Sequence, residues 1–147
     1  MNLPKYPLKA DQTLMVFEFI SEGPKGNIAK IVQYSETNLK GFYNLGFGDK
    51  DEQTGEIIDD VITNNNDSQI VLATVASTVY VFTDKYPDSW VFATGLTKSR
   101  TRLYRMGITN NITEIQKDFL VYGLKDDKWQ KFKKDIEYDA FLVKRKK

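Results

Sequence analysis

Apolar side chains follow a period of two in the first third of the chain and a period of about 3.6 beyond it, and that change sets out the architecture. Residues 14–20 and 28–34 are rich in β-branched and aromatic side chains, and the S-E-G-P-K-G-N cluster between them predicts a turn, hence a β-hairpin. Tyr43, Leu45 and Phe47 alternate with Phe42, Asn44 and Gly46, as in a half-buried third strand. The polar run G-D-K-D-E-Q-T-G-E then leads into a fourth strand over residues 57–63.

Next comes a helical stretch. N-N-N-D-S is a turn that offers Asp67 or Ser68 as an N-cap, and Val75, Val79, Phe82 and Tyr86 recur at i, i+4, i+7 and i+11 before Pro87 ends the run. Many of its residues are β-branched, which weakens helix propensity, while Ala73, Ala76 and Ser77 let such a helix sit close on a sheet. Trp90, Val91, Phe92 and Ala93 have the length of a buried strand, stopped by Gly95. A second helix is expected to start near Thr97 or Ser99 and to end at Met106, with Gly107 as a left-handed C-cap.

Ile108, Ile112, Ile115 and Phe119 keep a helical spacing, with Asn110 or Asn111 capping a short continuation; F-L-V-Y-G reads as a strand, and E-Y-D-A-F-L-V-K-R-K-K as a closing strand with a basic tip. The expected fold is one α+β domain spanning residues 1–147, a mostly antiparallel sheet of about six to seven strands packed with two helices, in the order β-β-β-β-α-β-α-β-β.

Composition narrows the chemistry. The 147 residues include no cysteine and no histidine, which excludes disulfides, thiol nucleophiles, imidazole ligands and histidine acid-base catalysis. Catalysis would fall to carboxylates, Lys, Tyr, Ser or Thr, and no catalytic residue stands out. Asp49 and Asp51 suggest a calcium loop, but Thr54 stands where that loop needs glycine and Asp60 where it needs glutamate, so the segment reads as an acidic hairpin loop and neither metal nor cofactor is expected. The start, M-N-L-P-K-Y-P-L-K, has no signal-like apolar core, and no run approaches the roughly 20 apolar residues of a membrane span, so a soluble cytoplasmic protein without a membrane partner is expected.

Charge is unevenly distributed. Residues 1–88 hold 7 Lys against 13 Asp/Glu, net −6, whereas residues 89–147 hold 14 Lys/Arg against 7 Asp/Glu, net +7. Three of the four arginines, Arg100, Arg102 and Arg105, fall in the second predicted helix, with no acidic residue between Asp88 and Glu114. A helix start with unpaired N–H groups beside Thr97, Lys98 and Ser99 suits an anion. The candidate ligand-binding residues are therefore Thr97, Lys98, Ser99, Arg100, Arg102, Tyr104 and Arg105. Steps of about 100° from Ser99 put Leu103 and Met106 on the core face, Arg100 and Tyr104 on a second, and Arg105 opposite the core, with Arg102 at the core's border. The competing reading is an arginine-rich surface helix braced by ion pairs to the acidic first half.

The run V-L-A-T-V-A-S-T-V-Y-V-F-T-D-K-Y-P-D-S-W, the following A-T-G-L-T-K-S-R-T-R-L-Y-R-M-G-I, the hairpin D-E-Q-T-G-E-I-I-D-D-V and the ending Y-D-A-F-L-V-K-R-K resemble a family of small single-domain bacterial proteins of unknown function. The resemblance covers nearly the whole chain and implies no activity, cofactor or catalytic residue. Leu96 stands where the resemblance leads one to expect a small hydroxyl residue, which removes one hydroxyl from the anion loop.

Three functions are weighed on this basis. The first is binding of a phosphate-bearing ligand or nucleic acid, RNA foremost, at the arginine-rich helix start, with Tyr104 stacking a base. The second is a protein–protein interaction module without catalysis, built on the aromatic sheet. The third is a small toxin-like RNA-cleaving enzyme that stabilises a pentavalent phosphate with Arg and Lys. If Arg100 and Arg102 both pair with acids of the first half, the phosphate readings lose their support. The sequence leaves the oligomeric state open.

Overall fold

The computed structural model describes residues 4–58, 63–94 and 98–147, with residues 98–100 described by their backbone alone. The elements are β1 (Lys9–Ala10), β2 (Val16–Gly23), β3 (Gly26–Glu36), β4 (Phe42–Asp49), α1 (Ser68–Lys85), β5 (Trp90–Ala93), α2 (Lys98–Asp118), β6 (Phe119–Lys125), β7 (Lys128–Lys131) and β8 (Ala140–Arg145). The strands form one eight-stranded sheet in the order β1-β2-β3-β4-β5-β8-β6-β7, an α+β fold. All neighbouring pairs are antiparallel except β4 and β5.

The expected order of elements stands, with differences in detail. Four strands precede α1 because the two-residue β1 joins the sheet. The expected strand over 57–63 contributes one bridge, Lys50 to Ile57, and residues 59–62 lie outside the described residues. After α2, the polar β7 adds an edge strand that its K-W-Q-K sequence, with one apolar residue, did not announce.

Two crossovers decide which side of the sheet is covered. The chain passes from β4 through α1 to the parallel β5, and then through α2 to β6, with β8 filling the place between β5 and β6. Both crossovers step in the same direction along the sheet, so a single handedness puts both helices on the same face. That face carries Phe17, Phe19, Val32, Tyr34, Leu45, Phe47, Val91 and Phe141, all at most 4% exposed. Phe82 of α1 stacks on Tyr34 at 4.2 Å between ring centroids and meets Tyr43 edge-on at 5.1 Å. The opposite face receives neither helix.

α1 occupies the 18 residues that the periodicity predicts, stopping one residue before Tyr86 and Pro87. Asp67 holds the N-cap position, but its carboxylate does not cap the helix. Its Oδ2 instead accepts from the Tyr6 hydroxyl at 2.6 Å and the Ser21 hydroxyl at 2.5 Å, tying the N-terminal arm and β2 to the start of α1.

α2 corrects the sequence reading at Gly107. The helix does not end at Met106; it runs on to Asp118, with its one non-helical residue at Asn111 (φ −125°, ψ 16°). Gly107 serves close packing, because a Cβ there would lie 3.1 Å from Leu72 Cδ2 of α1. At the break, Asn111 Nδ2 donates to the Gly107 carbonyl at 2.9 Å, the acceptor that the N–H of position 111 takes in an unbroken helix. The core-facing line also differs: it runs through Tyr104, Gly107, Ile108, Asn111 and Ile115, while Met106 is 41% exposed. Leu103 packs partly buried against the core, as expected, and Met106 turns outward because Tyr104, at 6% exposure, takes the buried position in that turn.

Candidate functional site

Of the residues expected to bind an anion, the structure describes the side chains of Arg102, Tyr104 and Arg105. Thr97 lies outside the described residues, and Lys98, Ser99 and Arg100 form the first turn of α2 by their backbone. Arg102 is exposed rather than bordering the core. Arg105 Nη1 lies 3.6 Å from Glu137, whose side chain is 88% exposed, so the pair contributes at most about 1 kcal/mol. Glu137 belongs to the second half of the chain, so Arg105 does not brace the acidic first half. Tyr104 is corrected outright: at 6% exposure its ring faces the core and offers no surface for a base. Its hydroxyl lies near Tyr34, whose own pKa is pushed up first by burial and, after the opposing hydrogen bond from Thr78, by Tyr104.

Asp49 has a structural role. It is buried against Lys30, and its Oδ2 accepts from the Thr63 backbone N–H at 3.1 Å. Among the described residues no group of three or more acidic side chains is placed to hold a metal ion. Among them, too, no helix is long and apolar enough to cross a membrane.

The concentration of chemistry lies on the sheet face that the helices leave bare. Strand alternation and register put three rows of side chains there. Phe42, Trp90, Lys144 and Leu120 form one row across β4, β5, β8 and β6. Asn44, Phe92, Leu142, Tyr122 and Lys131 form the next, and Ala140, Leu124 and Trp129 the last. The rings interlock across strands. Phe42 stacks on Trp90 at 5.9 Å, Trp90 meets Tyr122 at 5.9 Å, and Phe92 meets Trp129 edge-on at 5.9 Å across two intervening strands. Lys144 Nζ sits 5.2 Å from the centre of the Trp90 ring, a cation–π contact. Trp129 and Leu120 remain 42% and 40% exposed, and Phe42, Trp90, Phe92 and Tyr122 are half-buried.

Residues 90–93 form the expected strand, and the band marks which of its faces the helices cover. Val91 faces the helices at 2% exposure, while Trp90 and Phe92 point the other way. The alternation of aromatic with smaller residues in W-V-F-A carried that signal.

A family model for proteins of unknown function matches residues 2–146, nearly the whole chain. The chain belongs to that family, DUF6934. No curated protein and no solved structure matches it. Function in this DUF6934 chain is therefore read from its geometry.

A second feature lies on the helix side. An apolar cavity of about 100 Å³ opens between α1, α2 and the sheet, its walls including Val75, Val91, Tyr104, Ile108 and Val143. Next to it is an outer cleft of about 270 Å³ lined by Gln69, Leu72, Gly107, Asn110 and Asn111. Leu72, Gly107 and Asn111 line both spaces.

Proposed function

We propose that this protein is a cytoplasmic binding protein for single-stranded nucleic acid, RNA foremost, and that the bases lie on the helix-free face of the sheet. The observation that carries the reading is that both of the chain's tryptophans, Trp90 and Trp129, stand on this face in a band of rings interleaved with lysines. Aromatic faces stack bases of any sequence for about 1–3 kcal/mol each, and neighbouring ammonium groups meet the phosphates. Lys144 beside Trp90 and Lys131 beside Tyr122 have that arrangement. The strands that supply these lysines belong to the half of the chain with net charge +7.

A protein partner would use the same rings, but the cores of protein interfaces are depleted in lysine, and here lysine sits within the aromatic band. The phosphate-binding class expected from the sequence is thus retained, with its location moved from α2 to the sheet. A nuclease reading gains no support: Tyr104, beside the α2 arginines, faces the core.

Tryptophan fluorescence of the full chain, titrated with single-stranded oligoribonucleotides and then oligodeoxyribonucleotides at low salt, tests the proposal. Binding quenches the emission, weakens with salt at a slope of about −0.7 per phosphate contact, and drops at least tenfold in Trp129→Ala and Lys131→Glu. Binding that survives both substitutions and disappears in Arg102→Ala returns the site to α2. Absence of any quenching with the folded protein at low salt removes nucleic acid as the partner and leaves the band as a protein-binding surface.

A further inference from the structure

We infer that the cavity between α1, α2 and the sheet is a binding site for a small neutral amphiphile, its apolar body inside and its hydrogen-bonding head in the cleft at Asn110 and Asn111. The class of ligand follows from the walls. Among the described residues, none that lines the cavity or the cleft carries a charge; the inner walls are aliphatic and aromatic, and the polar groups gather at the mouth. A charged ligand would lose its hydration there with no counter-charge to replace it, whereas a neutral apolar body gains by leaving water.

Size bounds the body. An apolar protein cavity of about 150 Å³ stays dry and accepts benzene, so the roughly 100 Å³ here accepts a somewhat smaller group. The larger outer cleft takes the rest of the molecule. A short-chain alcohol, with its head outward, fits this division.

The way in is set by one side chain and one missing side chain. Leu72 and Gly107 form the partition shared by cavity and cleft, and the absent Cβ of Gly107 leaves Leu72 room to move. A Cβ at that position would lie 3.1, 3.4 and 3.5 Å from three carbons of Leu72.

The head group is chosen by Asn111. Its Nδ2 gives one of its two hydrogens to the Gly107 carbonyl, which fixes the amide and leaves the acceptor Oδ1 and one N–H for a ligand. A hydroxyl, which both donates and accepts, is the head that uses both. Helix continuity fails at Asn111, beside the mouth.

The test uses the wild-type chain with methyl-labelled Leu, Val and Ile, titrated with n-butanol, n-butane and butyrate as three separate probes and followed by NMR. Butanol and butane are expected to move the methyl signals of Leu72, Val75, Val79 and Ile108, with butyrate binding at least tenfold more weakly than butanol. Asn111→Ala is expected to weaken butanol at least threefold and leave butane unchanged. Ala76→Leu, which projects into the cavity, is expected to abolish the shifts with both, and Ala93→Val serves in its place where Ala76→Leu does not fold. The proposal is overturned by still methyl signals up to the solubility of both neutral probes, by butyrate binding as tightly as butanol, or by an Asn111→Ala effect equal for butanol and butane. Neither tryptophan lines the cavity, so this outcome is independent of the nucleic-acid titration.

Discussion

Lys30 and Asp49 face each other across β3 and β4 as an ion pair sealed from water, the lysine side chain 1% exposed and the aspartate 9%. The Thr63 backbone completes the arrangement, its carbonyl accepting from Lys30 Nζ at 2.9 Å and its N–H donating to Asp49 at 3.1 Å. Two charges on the helix side of the sheet thereby dock the chain that leads into α1. Removing one partner leaves the other charge buried alone, which costs about 3–5 kcal/mol, whereas replacing both by apolar residues is close to neutral. Urea denaturation of Lys30→Met and of Asp49→Asn is expected to show that loss, and the double variant Lys30→Met/Asp49→Leu to recover most of it. Single-variant losses under about 1 kcal/mol would mean that water reaches the pair.

Gly123 is occupied, in effect, by the ring of Tyr138. A Cβ at Gly123 would lie 2.4 Å from the Tyr138 ring, closer than any contact allows. The ring cannot simply slide away, because its hydroxyl accepts from Gln130 Nε2 at 3.0 Å and from the Lys133 N–H at 2.9 Å, and it packs on Phe132 and Phe141. Gly123→Ala is expected to destabilise by about 1–3 kcal/mol through overpacking, with loss of near-ultraviolet circular dichroism from the displaced tyrosine. An unchanged denaturation midpoint would show that the ring has room.

The contrast between α1 and α2 explains what the sequence disclosed. α1 was legible in length and position because its apolar spacing, the turn before it and Pro87 after it all agree. In α2 the local signals conflict. Glycine both ends helices and permits close packing, and the choice at Gly107 is made by Leu72, which is distant in sequence. The direction of Tyr104 followed from that choice, so the expected site lost its stacking residue. The aromatic band was illegible for a different reason. Trp90, Tyr122 and Trp129 share a face because β8 enters between β5 and β6, a pairing of distant segments that no local pattern encodes.

Arg145, which the sequence left in a basic tip, is the best-anchored of the described guanidinium groups. Its Nη2 donates to the Tyr80 carbonyl at 2.9 Å and to Asp84 at 2.8 Å, its Nε to the Thr83 hydroxyl at 3.1 Å, and its centre lies 5.0 and 5.1 Å from the Tyr80 and Phe119 ring centres. It fastens β8 to the last turns of α1, where carbonyls attract a cation. Arg145→Ala is expected to lower stability by about 2 kcal/mol, and Arg145→Lys to recover less than half of that, since an ammonium cannot reproduce the planar fork. Arg105→Ala, which removes a 3.6 Å pair to a Glu137 that is 88% exposed, is expected to cost at most about 1 kcal/mol. Equal effects at the two positions would overturn the distinction.

Tyr80 beneath that guanidinium gives the fold a sensitivity to alkali. Its pKa is pushed up from 10.0 to about 12, first by burial and then by its hydrogen bond to Asp118, against the lowering effect of Arg145. The hydroxyl donates to Asp118 Oδ2 at 2.7 Å, a bond that the phenolate cannot make. The neutral form is thus favoured in the folded state, so the contribution is full below the unfolded pKa of about 10 and is lost as pH rises through about 12. Phenolate absorbance of wild-type protein minus that of Tyr80→Phe is expected to titrate near 12, and stability between pH 10 and 12 to fall more steeply in the wild type than in the variant. A difference titration centred at 10 would show the hydroxyl free of Asp118 and open to water.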